Sequence, residues 1–453
     1  MCTVLLLVSA CAAGPLASDP GTPAATLQET SAPDSKPATA TGGVMTSENV
    51  EHVANVPKTA PFDGVDDINT DLAFQGDYAY VGNFGGFSIY DISNPEKPQV
   101  VSQVACPGQQ NDVTIYDNLL ILSIDEPRGG PECDAGDDER AWEGLRIFDV
   151  SDKKSPRYVG AVATECGSHT HTMIPAEDSL YVYVSSPGPE PDSETCPAPH
   201  ELIQVVEVPL SSPGSARIVS KPDIFPERQN SDLASGCHDI TAYPEKKLAA
   251  AACFGDGVLL DISDPVNPKV LQQLTDRENF QIWHSATFNN DGTKVVFSDE
   301  LGGGGQATCD RNTPNTKGAN AVYDLVDGQL QRRGYFKIPR EQQQDENCVA
   351  HNGSLIPVPG KDVMVQAWYQ GGVSIWDFTD SANPKEIGFF ERGPFRRGGG
   401  AIAGSWSAYY YNGYIYSSDI MEGLDVLKID DPLTNPAEKV KMDDFNVQTQ
   451  KSY

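Results

Sequence analysis

The chain has 453 residues, with 64 acidic against 32 basic side chains and a formal charge of −32. A surface this negative repels polyanions, which sets aside nucleic acid and anionic lipid as partners and favours cations. No apolar run reaches the roughly 20 residues that a spanning helix needs, and the length suits one large all-β domain or two or three ordinary ones.

The chain opens with "MCTVLLLVSAC". Its short apolar run ending in Val8-Ser9-Ala10-Cys11 resembles the lipobox of bacterial lipoproteins, although the positively charged segment that normally precedes such a run is missing. The resemblance implies a lipoprotein-type signal over residues 1–11, lipidation of Cys11, and a protein anchored to a membrane by lipid rather than spanning it. Residues 12–46 are Ala, Pro, Thr, Ser, Gly and Asp, a composition that buries no core and behaves as a tether. An anchor followed by a tether places the remaining domain, 47–453, outside the cytoplasm, as a cell-surface or periplasmic lipoprotein. Of 10 cysteines, Cys2 leaves with the signal and Cys11 takes the lipid. The remaining eight are an even set, as an oxidising compartment favours.

From there a short strand pattern recurs, two alternating apolar residues before an acidic one: "FSIYDIS" (Asp91), "LRIFDVS" (Asp149), "IQVVEVP" (Glu207), "GVLLDIS" (Asp261), "NAVYDLV" (Asp324), "VSIWDFT" (Asp377) and, degenerately, "LDVLKID" (Lys428). Several copies run into Asn-Pro or Asp-Pro turns and then another strand, such as "QVVSQV" or "KVLQQL". Two further strands precede each anchor, clearest in "HSATFNNDGTKVVFSD", where an Asn-Asp-Gly turn separates two alternating runs. Four antiparallel strands repeated seven times predict an all-β, seven-bladed β-propeller of four-stranded antiparallel blades. The anchors, written SIYDIS, RIFDVS, LLDIS and SIWDF, resemble those of the LVIVD-repeat proteins over about residues 49–430. That resemblance implies an exported propeller and brings no settled activity with it.

Aligning the innermost strands gives "TDLAF" (Thr70), "NDVTI" (Asn111), "HTMIP" (His171), "HDITA" (His238), "HSATF" (His284), "HNGSL" (His351) and "WSAYY" (Trp406). Four of the seven histidines thus share one register, at the end where the second strands also finish in carboxylates such as Glu300. Neutral imidazoles converging in a dry funnel suit an Fe, Cu or Zn ion, with Asp239 and Glu300 as outer-shell partners. His169, two residues before His171, is a reserve ligand. The arrangement is similar in geometry to carotenoid-cleavage oxygenases, which hold iron by four histidines at a propeller axis, and distantly to the copper-dependent selenium-binding/methanethiol oxidase propellers. It departs from them in placing all four histidines in adjacent blades, which leaves the side of Asn111 and Trp406 for substrate. The other reading of the same register is structural: a histidine opening a buried strand can bond neighbouring loop carbonyls.

Cys106 and Cys166 lie five residues before inner strands, and Cys133 and Cys196 fall in the following second-to-third strand loops. The expected pairs are Cys106–Cys133, Cys166–Cys196, Cys237–Cys253 and Cys309–Cys348. "NVEHVANVP" (49–57) is expected as the outer strand of the seventh blade, with "EKVKMDDFNV" as its competitor for that place. Two functions follow: a metal-dependent surface oxidoreductase using His171, His238, His284 and His351, or a non-catalytic propeller binding a small molecule or a surface protein.

Overall fold

The recurring acidic residue ends the third strand of its unit by turning its carboxylate onto the chain ahead. Asp91, Asp149, Asp261 and Asp377 accept the backbone N–H two residues on, from Ser93, Ser151, Ser263 and Thr379, at 2.8–2.9 Å. A second such turn follows from Asn94, Asp152, Asp264 and Asp380. Paired turns of this kind stop one strand and aim the next, which is why the motif recurs where it does.

The computed structural model describes residues 38–41, 43–136, 142–186, 196, 200–225, 236–395 and 402–453, which lie within the unit Ser35–Tyr453. Among them there is no α-helix; four sheets have four antiparallel strands, a fifth has four plus the short strand Asp444–Asn446, and a ten-stranded sheet joins two further groups of four and adds Ala38–Thr41 and Val44–Ser47. The inner strands, in order, are Asn69–Gln75, Val113–Tyr116, Thr170–Pro175, Asp239–Tyr243, Trp283–Phe288, Asn352–Ile356 and Ser405–Tyr411. A separate apolar cluster lies between each pair of neighbouring groups. One of them packs Leu72 and Phe74 of the first against Tyr409, Tyr411 and Leu424 of the seventh, so the ring closes on itself. The fold is a β-propeller.

Closure uses Val50–Val56, which pairs antiparallel with Gly423–Ile429 as the outer strand of the seventh blade. The structure also carries strands ahead of residue 47. Val44–Ser47 pairs with the outer strand Lys385–Arg392 of the sixth blade, and Ala38–Thr41 pairs with Val44–Ser47. The ordered sheet therefore starts earlier than composition suggests, because the sixth blade's edge offers unpaired backbone groups to an alternating "VMTS" segment. Residues 1–11 and 12–37, with Cys11, lie outside the described residues.

The competing segment goes elsewhere. Asp444–Asn446 pairs antiparallel with the inner strand of the first blade at Phe74, and the chain then crosses the channel. The Asn446 side chain bonds both backbone groups of Ile115 at 2.8 and 2.9 Å. Thr449 donates to the Met173 carbonyl at 2.7 Å. Ala242 is bonded on both sides, to Gln448 and Gln450, and the Gln450 amide bonds both backbone groups of Phe288. The segment thus satisfies the inward-facing edges of five successive blades, at the channel end opposite the histidines. The sixth and seventh blades instead pair directly, Asn352 with Ser407 and Gly353 with Ala408.

Candidate metal centre

Each inner strand begins where a loop returns from the previous blade, so the residues at its start line one mouth of the channel. His238 and His351 stand just ahead of their strands, their N–H groups bonded to the carbonyls of Ala252 and Ala367. In the third blade the residue making the equivalent bond is His169, to the Ser185 carbonyl, rather than His171. The bonds across the channel confirm this register: Ile115, Met173, Ala242 and Phe288 are the fifth residues counted from Asn111, His169, His238 and His284.

The expected ligand set is corrected accordingly. His171 lies one pleat deeper and is fully buried. Its Nδ1 is 2.8 Å from Ser123 Oγ, and its Nε2 is 2.6 Å from Thr114 Oγ1. Both ring nitrogens are occupied by the second blade, so nothing remains for an ion. His169 takes its place, and the rings form a row at the mouth. Centroids are 4.4 Å apart from His169 to His238, 3.9 Å from His238 to His284 and 4.3 Å from His284 to His351.

Acceptors fix the tautomers of three of these rings. His169 Nδ1 donates to Asp125 Oδ2 at 2.6 Å, His238 Nδ1 to Asp239 Oδ1 at 3.1 Å, and His351 Nδ1 to the Trp406 carbonyl at 2.5 Å. Carboxylates and carbonyls only accept here, so each Nδ1 carries the hydrogen and Nε2 is left to the centre of the mouth. His169 Nε2 and His238 Nε2 face each other at 2.9 Å. Two lone pairs do not meet at that distance unless a proton or a cation lies between them. Both nitrogens of His284 are buried without a hydrogen-bond partner, the state that buried polar groups ordinarily avoid.

Burial also decides the charges. It holds His284 well below the usual histidine range, helped by His238 and His351, and it pulls His351 down to about 3 against its bond to Trp406. Burial, then the neighbouring His169, lowers His238. His169 is the exception: burial opposes its charge, but the bond to Asp125 and the surrounding carboxylates outweigh it and raise its pKa. Burial lifts Glu300 to about 7 against the bond from Tyr369.

Glu300 stands close to two of the rings. One of its oxygens and ring nitrogens of His238 and His284 all lie within 4.8 Å of one another, all three residues being buried. Asp239 accepts from His238 Nδ1. Trp406 contributes its carbonyl and packs 5.1 Å from the His351 ring. Asn111 is corrected: its amide turns away to the carbonyls of Asn83, Phe84 and Cys106 and does not face the mouth.

The four cysteine pairs, Cys106–Cys133, Cys166–Cys196, Cys237–Cys253 and Cys309–Cys348, are joined. Each holds a loop that leads into, or lies beside, the start of an inner strand.

An antiparallel propeller with a buried histidine row at one mouth is thus the class of protein the coordinates define. The LVIVD repeat matches residues 69–105 and 140–164, the whole first blade and the outer half of the second, so the chain carries LVIVD repeats. A stretch of 97 residues is 27% identical to an uncharacterised protein of Archaeoglobus fulgidus, covering 21% of this chain and 14% of that one. Among solved structures, the Cps50 (Swd1) β-propeller domain of Myceliophteria thermophila aligns with a TM-score of 0.50 at 8% identity, over 80% of this chain and 97% of its own. A protein from Lactobacillus plantarum aligns at 0.46 and 11% identity, over 71% and 82%.

Proposed function

We propose that this is an exported propeller that binds one transition-metal ion at the histidine mouth and carries out an oxidoreductase-type reaction on a small molecule there. The observation that supports this reading is the convergence of imidazole nitrogens at one mouth, those of His284 having no partner of their own. Two Nε2 atoms sit at 2.9 Å, and His284 is buried with both nitrogens unbonded. Ligands about 2.1 Å from one ion and at right angles stand about 3 Å apart, so the 2.9 Å spacing fits a shared ion as well as it fits a proton held between the two rings.

The donor set narrows the metal. Imidazoles alone suit Fe, Cu or Zn, but two imidazoles and one carboxylate are the set used by non-haem Fe(II) oxygenases, and His238, His284 and Glu300 are such a set. With histidines contributed by the third to sixth blades only, the side beside Trp406 is left for substrate. The chain's own residues hold their tautomers through Asp125, Asp239 and the Trp406 carbonyl and keep water out by burial. When bound, the ion would supply Lewis-acid or redox chemistry. The four disulfides fit an oxidising compartment, and lipidation at Cys11 would hold the domain at the membrane surface.

Metal analysis of the full chain purified from its own compartment tests the proposal. About one equivalent of Fe, Cu or Zn is expected, lost in His238→Ala and His284→Ala without change in the β-sheet circular dichroism. His171→Ala should keep the metal while lowering stability, since it breaks only bonds to the second blade. A chain that holds no transition metal, even after incubation with each of the three, leaves the mouth as a binding surface without redox chemistry.

A further inference from the structure

We infer that Tyr369 is a positioning residue that presents Glu300 as the carboxylate ligand of the centre. This rests on the metal reading above and extends it to a residue outside the histidine register. Glu300 follows the second strand of the fifth blade, whereas Tyr369 comes from the "WYQGG" turn of the sixth, so the pairing bridges two blades.

The tyrosine hydroxyl donates to Glu300 Oε1 at 2.5 Å. His351 Nε2 is 3.7 Å from that same oxygen, beyond hydrogen-bond reach. A phenol offers one hydrogen, so the bond anchors Oε1 and leaves the carboxylate's other lone pairs unclaimed. One of its oxygens lies within 4.8 Å of a ring nitrogen of His238 and of His284. The Tyr369 ring also packs 4.6 Å from His351.

The backbone around the pair is specialised. Tyr369 has φ +53°, a left-handed conformation that is uncommon for a bulky side chain and is held where surrounding structure over-determines it. Here the holding is reciprocal backbone bonding with Ser405, at 3.1 and 2.9 Å. Gly304 has φ +73°, and a Cβ there would lie 2.4 Å from the tyrosine hydroxyl and 2.9 Å from Glu300 Oε1. The "LGGGG" loop can therefore press onto the pair only as glycine. Asn347 ties that loop down through the Gly304 carbonyl at 2.9 Å, and Gln370, next to the tyrosine, holds Asn347 at 2.6 Å. A loop, a turn and a strained tyrosine are thus all spent on the orientation of one carboxylate.

The test uses Co(II) as a spectroscopic probe with the full chain. Tyr369→Phe keeps the ring and removes only the donor. It should leave the fold and apo melting temperature nearly unchanged, weaken Co(II) binding roughly 10- to 100-fold, as loss of a group orienting a ligand does, and shift the ligand-field bands. Glu300→Gln, which still accepts a hydrogen bond from Tyr369 but is a poor ligand, should shift the bands in the same direction. Wild-type binding with an unchanged spectrum and affinity in Tyr369→Phe overturns the role of Tyr369 alone. An unchanged spectrum in Glu300→Gln shows that Glu300 is not a ligand and overturns the inference from its other side. Failure of the wild type to bind Co(II) overturns the centre and this role together.

Discussion

Asp419 closes the second strand of the seventh blade with 2% of its surface exposed. It accepts the N–H groups of Met421 and Glu422 at 3.0 and 2.9 Å and lies 3.5 Å from Arg392. Burial, then the charge of Asp425, raises its pKa to about 6 against the pull of Arg392. A folded-state value above the unfolded one contributes stability that is complete below about pH 4 and is lost as pH rises through about 6. Asp419→Asn should therefore remove a loss of stability of on the order of 1 kcal/mol between about pH 5 and about pH 7.5, and so shrink the difference in melting temperature between them. Thermal scans at the two pH values check it, and an unchanged difference would count against the assignment. At this scale the sequence misleads where two equivalent residues compete. "HTHTM" offers His169 and His171 one pleat apart on the same strand face, and alternation alone cannot choose between them. The choice is made by Thr114 and Ser123 of the neighbouring blade, which saturate His171, and by Asp125, which draws His169 outwards. Tyr369 left no signal of its own beyond the two glycines after it.

Among the elements, the four-strand unit was the most legible, because four of the acidic anchors are tied to a backbone turn and so recur at a fixed place. The pairing of Val50–Val56 with Gly423–Ile429 was legible for the same reason: every other outer strand follows its anchor, and the seventh lacks one unless residues 50–56 supply it. Removing residues 1–57 should leave Gly423–Ile429 as a bare edge, which invites pairing between molecules. Light scattering after size exclusion should then show larger assemblies than the intact chain forms, with a lower melting temperature. A truncated chain of unchanged assembly state and stability would mean that the ring is held by its inter-blade cores alone. The crossing segment could not be read. "FNVQTQ" alternates like a strand, and only the unpaired inner edges of five blades, a tertiary feature, draw it across the channel.

For the whole molecule, the charge of −32 concentrates cations around the surface, as the proposed centre requires. The channel end opposite that centre is sealed by residues 444–453, and the two ends are far enough apart in structure to be tested separately. Deleting residues 444–453 strips bonds from Ile115, Met173, Ala242 and Phe288, each worth about 1 kcal/mol net and partly offset by the freedom the segment regains. The expected outcome is a loss of roughly 3 kcal/mol in denaturant unfolding with metal content unchanged. Loss of the metal as well would mean that the inner strands cannot hold the mouth without the seal.

That seal also bears on how the protein is made. Blades emerge from the ribosome in sequence, but the partner of Val50–Val56 is Gly423–Ile429, and the stitches across the channel come from residues 444–453, synthesised after all seven blades. A nascent chain therefore cannot fasten the ring until residues 423–453 have been made, so closure follows the seventh blade rather than advancing with each blade in turn.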